Sequence, residues 1–342
     1  MKTIRKETIF ILGRIVLCLT GLLLYIYNTV PCYAEPATKI ERRRFILDTL
    51  KQYSPTGYFI VNTVDTSIPP KGLTWNKWDF DFTDAQDELG IINGLETIVH
   101  ETNHVYTVKM AFIILNSNRG GFYAYYTGKE TIVLKVTKTF PAREIASLIP
   151  EMLRDFRYEH YINSNDKNLS TQKNGVFGLL DEFNSYYQGA QTGYDLQRWF
   201  EGINQWDWPT TKIYLNMTHK SYLAHGEFKL YILSYLLYAK QKYPNIYRTV
   251  MKNKDFKRTF TAIDDNWTKL IAEYFNHFET QIRFLDSKGI KTSLWDNDYF
   301  FSDPNSNKSN GLEHLKCQAK YEKFLTEINQ PKYIEILNEL QR

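Results

Sequence analysis

The chain has few cysteines, and their positions leave no scope for a disulfide bond in the mature protein. Of 3 Cys in 342 residues, Cys18 and Cys32 lie in an N-terminal segment with the features of a signal peptide, and Cys317 stands alone in the remainder. Once that segment is removed, no intramolecular disulfide can form. The folded chain must therefore rely on its hydrophobic core.

A strong net charge is also missing. The formal charge is +4, but the first 34 residues alone carry +3 of it. The nearly neutral remainder argues against a nucleic-acid partner. The sequence also lacks a Gly-x-Ser-x-Gly nucleophile turn and a phosphate-binding glycine loop. With 43% hydrophobic and 23% charged residues, the composition is that of an ordinary globular protein.

Long hydrophobic runs are absent as well. The cleanest one covers residues 15–27, and Arg14 interrupts anything longer, so this run is short for a membrane span. A basic start, the apolar run and a small-residue exit predict a signal peptide over residues 1–34, cleaved after Ala34. The alternative is an uncleaved anchor in which Arg14 snorkels, leaving the protein membrane-anchored and facing outside. Export without disulfides, together with the richness in Lys, Asn, Ile and Tyr that is expected of an AT-rich genome, leads us to expect a secreted bacterial protein.

What the chain does contain is an HExxH motif, since residues 100–104 read His-Glu-Thr-Asn-His. On a helix, His100 and His104 project from one face, one turn apart, and two neutral imidazoles at this spacing can bind Zn2+. Glu101 can take a proton from water that the metal acidifies. An apolar stripe at helical spacing predicts a buried helix over residues 85–106. The competing explanation is a buried helix with two hydrogen-bonded histidines.

A catalytic zinc site usually has three protein ligands, so a third must lie elsewhere. The variant with a third His at fixed spacing is excluded, because Thr107 and Met110 occupy its Gly and His positions. The helical stretch 175–187 places Asp181 and Glu182 in an apolar run, where carboxylates are costly unless they are paired or metal-bound. We expect Glu182 to be the third ligand and Asp181 to hold a ligating imidazole.

Small residues suggest that another helix approaches this stretch closely. Gly178 lies one turn before Glu182, and Ser185 lies three residues after it, which makes the face narrow. His160 and Asp195 are rival third ligands on residue type alone. A further alternative is that both acids of the stretch merely flank a surface stripe.

The motif at 100–104, followed by a helical Asp181-Glu182 pair, resembles the gluzincin group of zinc metallopeptidases, in which a glutamate on a second helix completes the site. The resemblance covers these two helices and assigns no family within the group. The chain departs from familiar members in the 77 residues between His104 and Glu182 and in having Asn103 where a small apolar residue is more usual. These departures affect the expected cleft more than the metal site.

The resemblance implies a zinc-dependent metalloendopeptidase with one Zn2+ per chain, a protein or peptide substrate, Glu101 as general base and an edge strand that aligns the peptide. The N-terminal segment predicts that this enzyme is exported. It also implies an oxyanion donor, usually His or Tyr. The candidates are Tyr186 and Tyr187 on the glutamate helix, and His219 and His225 before a long helix. Each can equally be an ordinary hydrogen-bonded polar residue. The alternative function is a non-catalytic surface or binding protein of zincin fold.

The predicted fold class is α+β. A zincin-like N-terminal part has a small, mostly antiparallel sheet and the HExxH helix, and a largely α-helical C-terminal part follows. The boundaries are 1–34 for the signal peptide, 35–174 for the part with HExxH, and 175–342 for the part with the third ligand. Helices are predicted at 39–53, 85–106 and 141–158, strands at 58–64, 109–115, 121–127 and 130–139, an edge strand or aromatic loop at 75–82, and further helices at 227–242, 246–253, 259–286, 312–328 and 332–340. Membrane contact is expected only if the first segment stays uncleaved.

Overall fold

The computed structural model describes residues 39–71, 85, 87–117, 120–217, 219–296 and 298–342. The predicted signal peptide and the 75–82 segment lie outside these residues. Among the helices that are described, none combines the length and the apolar character needed to cross a membrane.

The described residues form an α+β structure, which confirms the predicted class. The helices are α1 Lys39–Tyr53, α2 Pro55–Thr66, α3 Glu88–Ile114, α4 Ser170–Lys173, α5 Val176–Asp195, α6 Gln197–Glu201, α7 Trp208–Asn216, α8 Leu223–Lys242, α9 Pro244–Lys252, α10 Lys254–Ser287, α11 His314–Ile328 and α12 Pro331–Gln341. The strands are β1 Phe122–Tyr126, β2 Thr131–Lys135, β3 Lys291–Trp295, β4 Asp298–Asp303 and β5 Lys308–Leu312.

The strands form two separate antiparallel sheets. In the first, β1 pairs with β2, with Ala124 opposite Val133. In the second, β4 lies between β3 and β5, so that Phe300 faces Ser293 on one side and Gly311 on the other. The second sheet interrupts the C-terminal part, which was expected to be almost entirely helical.

The predicted strand at 58–64 is wrong, because these residues belong to α2. Ser54 caps this helix by accepting a hydrogen bond from the backbone N–H of Gly57 at 3.4 Å, and Pro55 occupies the first turn. Ile60, Val61 and Val64 are buried at helical spacing. Burial of this face outweighs the preference of aromatic and β-branched residues for strands, which is a weak one.

Two further predictions in the N-terminal part are wrong. The expected strand at 109–115 is largely the end of α3, where Met110 and Ala111 are buried on the helix. Of the strands expected at 109–115, 121–127 and 130–139, the last two therefore form the sheet, as the β1–β2 hairpin. The expected helix at 141–158 is instead two 3-10 helices, Ala142–Leu148 and Glu151–Leu153. Pro150 lies between them, and a proline inside a helix removes a backbone donor and clashes with the preceding turn.

The helix that carries the HExxH motif, α3, packs most extensively on α5. The contact is close at Gly189, where an added Cβ would lie 2.9 Å from the backbone oxygen of Glu96 and 3.3 Å from the Cβ of His100. Ser185 also faces α3, because its Oγ accepts a hydrogen bond from Asn103 Nδ2 at 2.8 Å. At Gly178 the helix that approaches closely is the short α4, since an added Cβ would lie 2.3 Å from the carbonyl oxygen of Ser170.

We predict that Gly189→Ala forces α3 and α5 apart. An alanine is intrinsically better in a helix, but the short contacts should lower the free energy of unfolding by about 1–3 kcal/mol. Urea unfolding of the metal-free protein measures this change. Gly202→Ala is the matched control, because the atom nearest to its added Cβ is 3.6 Å away. Equal stability of the two variants would contradict the proposed tight contact.

Candidate metal centre

The structure brings the three predicted ligands together at the α3–α5 contact. His100 Nε2 and His104 Nε2 are 3.1 Å apart. Glu182 Oε2 lies 3.5 Å from His104 Nε2 and 3.8 Å from His100 Nε2. These residues form a group that could hold a metal ion.

The dimensions and chemistry of this triangle suit a small divalent metal. Ligands bound tetrahedrally at about 2.0–2.1 Å from zinc are separated by roughly 3.3 Å, close to the three spacings here. Glu182 Oε2 is buried and has no hydrogen-bond partner, so this carboxylate needs a nearby cation, which protonated His104 supplies without a metal and which a bound metal ion would replace. Two imidazole nitrogens and one carboxylate oxygen are also a donor set that zinc accepts.

Polar groups on α5 orient both imidazole rings through contacts away from the two Nε2 atoms. His104 Nδ1 is 2.7 Å from Asp181 Oδ2 and 3.2 Å from Ser185 Oγ. A ring N–H of His100 donates to the backbone carbonyl of Ser185. Asp181 thus makes the contact that was expected of it, and Nε2 of each histidine is left for the metal.

The two histidines differ in charge preference. Burial, followed by the nearby charges of His104 and Arg157, holds the pKa of His100 well below its usual value, so His100 is neutral. Burial also opposes the charged form of His104, but the carboxylates of Asp181 and Glu182 outweigh it and hold the pKa of His104 well above the usual range. His104 would therefore have to release a proton for a metal to bind.

Glu101 lies beside the centre and faces solvent. Its Oε1 is 3.9 Å from His100 Nε2, and its side chain is 44% exposed. Partial burial raises the pKa of Glu101, and the carboxylates of Glu182 and Asp181 add to this effect while His104 opposes it. A carboxylate in this position can exchange protons with water at the centre.

Of the four candidates for an oxyanion donor, the structure places Tyr186 against the centre. Its ring lies edge-on to that of His100, with centroids 4.4 Å apart. Tyr187 packs instead against Trp267, with ring centroids 5.7 Å apart, and its hydroxyl is 3.3 Å from Gln191 Oε1. Adjacent residues of a helix point about 100° apart, so only one of them can face α3.

The two histidine candidates have other surroundings. His225 is buried, with Nδ1 2.7 Å from the Tyr321 hydroxyl and Nε2 2.8 Å from Asp264 Oδ1, so both ring nitrogens are engaged. Burial lowers the pKa of His219 to about 4, and the nearby charges of Lys220 and His314 act in the same direction. The structure does not bring either histidine into the group of three ligands.

The rival third ligands also have other partners or surroundings. The exposed His160 stacks near Phe156, with ring centroids 5.8 Å apart. Asp195 accepts a hydrogen bond from Ser54 Oγ at 2.8 Å and another from Gln191 Nε2 at 2.8 Å.

Sequence reasoning missed several polar groups around the centre. Glu96 lies one helical turn before His100, which is a signal that helical spacing could have supplied, and its Oε1 accepts from Ser221 Oγ at 2.8 Å. Arg157 and Tyr161 contact Tyr186 from a different segment. Nothing in their sequence spacing points to that contact.

Comparison with protein-family models gives no match, and neither do searches of the curated proteins and of the solved structures. The geometry of the centre therefore carries the functional argument alone.

We predict that Asp181→Asn weakens zinc binding by about 10–100-fold, because the charged acceptor on His104 Nδ1 is lost. Titration against a chelator of known affinity measures the change. Asp195→Asn is the matched control, as Asp195 lies on the same helix but binds Ser54. Unchanged affinity in Asp181→Asn would contradict the orienting role.

A second prediction concerns pH. Burial raises the pKa of Glu96 from its ordinary 4.5 to about 7, although Ser221 and Arg157 act against the rise. The folded protein therefore binds the proton on the Glu96 carboxyl more tightly than the unfolded chain does. This difference contributes fully to the free energy of unfolding below pH 4.5, and the contribution is lost as pH rises to about 7. Its size is at most on the order of 3 kcal/mol.

Urea unfolding of wild type and Glu96→Gln at pH 4.5 and pH 7.5 tests this prediction. The stability difference between the two proteins should shift in favour of the variant at the higher pH. Glu159→Gln, at an exposed position, serves as the control. A difference that does not change with pH would contradict the predicted burial of the Glu96 charge.

Proposed function

We propose that this chain is an exported zinc-dependent metalloendopeptidase of gluzincin type. The observation that carries the proposal is the convergence of His100 Nε2, His104 Nε2 and Glu182 Oε2, with Glu101 beside them. The N-terminal segment supports export by its sequence alone. The 77 residues between His104 and Glu182 do not weaken the proposal, because the α3–α5 contact brings the two helices together.

Zinc bound at this centre supplies Lewis-acid polarisation of a peptide carbonyl and acidifies water. His100, His104 and Glu182 are the residues that would hold it, and Asp181 would keep the His104 ring in place. Glu101 accepts a proton from the attacking water while the water oxygen forms a bond to the carbonyl carbon. The same carboxyl group then delivers that proton to the amine nitrogen as the C–N bond breaks.

The substrate class is a peptide in extended conformation. The β1–β2 hairpin packs beside α3 and is tied to α5 where Gln188 Nε2 donates to the Tyr126 carbonyl at 2.8 Å. A two-stranded sheet leaves unpaired backbone groups on its outer edges, and such edges bind extended peptides. We assign substrate alignment to this hairpin.

The proposal predicts about one zinc per chain and cleavage of denatured casein. Glu101→Gln should keep its zinc and lose at least about 100-fold in turnover, since it removes the general base. Glu182→Gln should lose both zinc and turnover, since it removes a ligand. Elemental analysis and gel-based cleavage measure the two quantities.

The outcomes separate the candidate functions. Zinc binding without cleavage by the wild-type chain would instead support a non-catalytic binding protein of zincin fold. Absence of zinc would end both the peptidase proposal and the ligand assignment.

A further inference from the structure

A basic groove, lined mainly by positively charged side chains, lies outside the group of three ligands. Its volume is about 770 Å³. The charged side chains of its lining are those of Lys252, Lys254, Lys257, Arg258 and Arg342, with one acid, Asp265. A smaller cavity of about 460 Å³ shares Met251, Lys257 and Arg342 with the groove. A concave surface with this excess of positive charge favours an anionic ligand.

The fold of α10 presents these cations to solvent. The helix buries Phe256 and Phe260 on one face, so helical spacing directs Lys257 and Arg258 away from that face. Lys254, the first residue of the helix, is exposed. The N-terminus of this 34-residue helix adds a partial positive charge at the same place.

The lysines of the basic groove are not neutralised by neighbouring acids. Within the described residues, Lys252, Lys254 and Lys257 have no carboxylate at ion-pair distance. Arg258 Nη2 is 3.6 Å from Glu130 Oε2, but both side chains are more than half exposed. An exposed pair of this kind contributes little. The three lysines are therefore available to an external anion.

The acids near the basic groove leave its balance positive. Asp265 is exposed and is the single acid in the lining, and Asp255, on the first turn of α10, does not line it. Glu335 and Glu339 line the smaller cavity, where both are already bound to Lys240 Nζ, at 2.9 and 2.8 Å. An anionic ligand therefore meets a net positive surface.

The basic groove adjoins the turn of the β1–β2 hairpin. Arg258 of its lining approaches Glu130, and Asn266 Nδ2, on the same helix, donates to the carbonyl of Thr127 at 2.8 Å. Residues 127–130 form the turn that joins the two strands. The hairpin to which peptide alignment is assigned above therefore ends, at its turn, beside the groove.

We propose that the basic groove binds an acidic segment of the peptide substrate, so that the chain selects substrates with Asp or Glu residues clustered on one side of the bond that is cut. This inference rests on the proposed peptidase function and adds a selectivity that the three ligands do not provide. Because the groove lies at the turn end of the hairpin, an extended peptide reaches it at only one of its ends. The concave shape and this position favour a peptide over a flat anionic membrane.

The first test compares three fluorogenic peptides that carry the bond cut in denatured casein. Four Glu residues are placed before that bond or after it, with a spacer on the order of five residues, the length of one extended strand, and the third peptide has Gln in place of Glu. Wild type should cleave one acidic peptide with kcat/KM about 10-fold above the Gln peptide at about 50 mM NaCl. The gain should largely disappear at about 0.5 M NaCl, because salt screens exposed charges.

Replacing the lysines tests whether the basic groove causes this gain. Lys252→Gln, Lys254→Gln and Lys257→Gln together should abolish the gain for the acidic peptide. Zinc content and kcat/KM for the Gln peptide should stay at the wild-type values, because none of these side chains belongs to the centre. An undiminished gain in this triple variant would overturn the proposal, and so would equal gains for both acidic peptides or for neither.

A matched triple variant controls for net charge. Lys51→Gln, Lys167→Gln and Lys212→Gln remove the same charge at exposed positions outside the basic groove, and this variant should keep the full gain. Loss of the gain in both triple variants would attribute the selectivity to the overall charge of the chain and overturn the role of the groove.

A binding measurement tests the basic groove without turnover. In the zinc-loaded Glu101→Gln chain, fluorescence anisotropy should show the labelled acidic peptide binding at least about 5-fold more weakly once the three groove lysines are replaced. Sedimentation with phosphatidylglycerol vesicles is the other arm. Vesicle binding that needs the lysines, without selective binding of the acidic peptide, would assign the groove to a membrane surface and overturn the peptide proposal.

Failure of the peptidase proposal gives a different result. A wild-type chain that cleaves neither casein nor any of the three peptides would overturn the proposed function. Lysine-dependent binding of the acidic peptide by that chain would still support the groove as a site for acidic peptides.

Discussion

The contact between α3 and α5 is the constraint on which the candidate centre depends. Gly189 allows the two backbones to approach, and Ser185 fixes their relative position. Ser185 accepts from Asn103, lies within hydrogen-bond distance of His104 Nδ1, and offers its carbonyl to His100. A single small residue therefore links the helix pairing to the orientation of both imidazoles. This contact also explains why the motif has an asparagine at position 103, since the Asn103 amide is buried against α5 and not exposed to solvent.

The ligand set was predictable from sequence because each of its signals is local. The His100 and His104 spacing defines one helical face, and Glu182 is conspicuous because few carboxylates lie in so apolar a helix. The helices of the C-terminal part were predictable for the same reason. The strands were less so, because residues 58–64 have the composition of a strand and are helical only through the Ser54 cap and the burial of one face.

The surroundings of the centre could not be predicted in the same way. Arg157 contacts Tyr186 from the position just before a π-helical turn, Tyr158–Ile162, and no periodic pattern distinguishes such a turn in a sequence. His225 has the residue type of a catalytic group, but its neighbours Tyr321 and Asp264 come from distant helices and engage both of its nitrogens. Residue type thus identified what can hold a metal, whereas the roles of the other polar groups depend on tertiary contacts.

The separation of the ligands along the chain has a consequence for how the protein responds to its surroundings. A metal at this centre would tie together positions 104 and 182, closing a long loop that an unfolded chain would have to close at an entropic cost. The metal would act as a reversible cross-link whose contribution to stability follows the free metal concentration. In the described part of the chain Cys317 is a free cysteine, so this coordination would constrain the chain as a disulfide does in other proteins. Stability and the proposed activity would then depend on the same supply of metal.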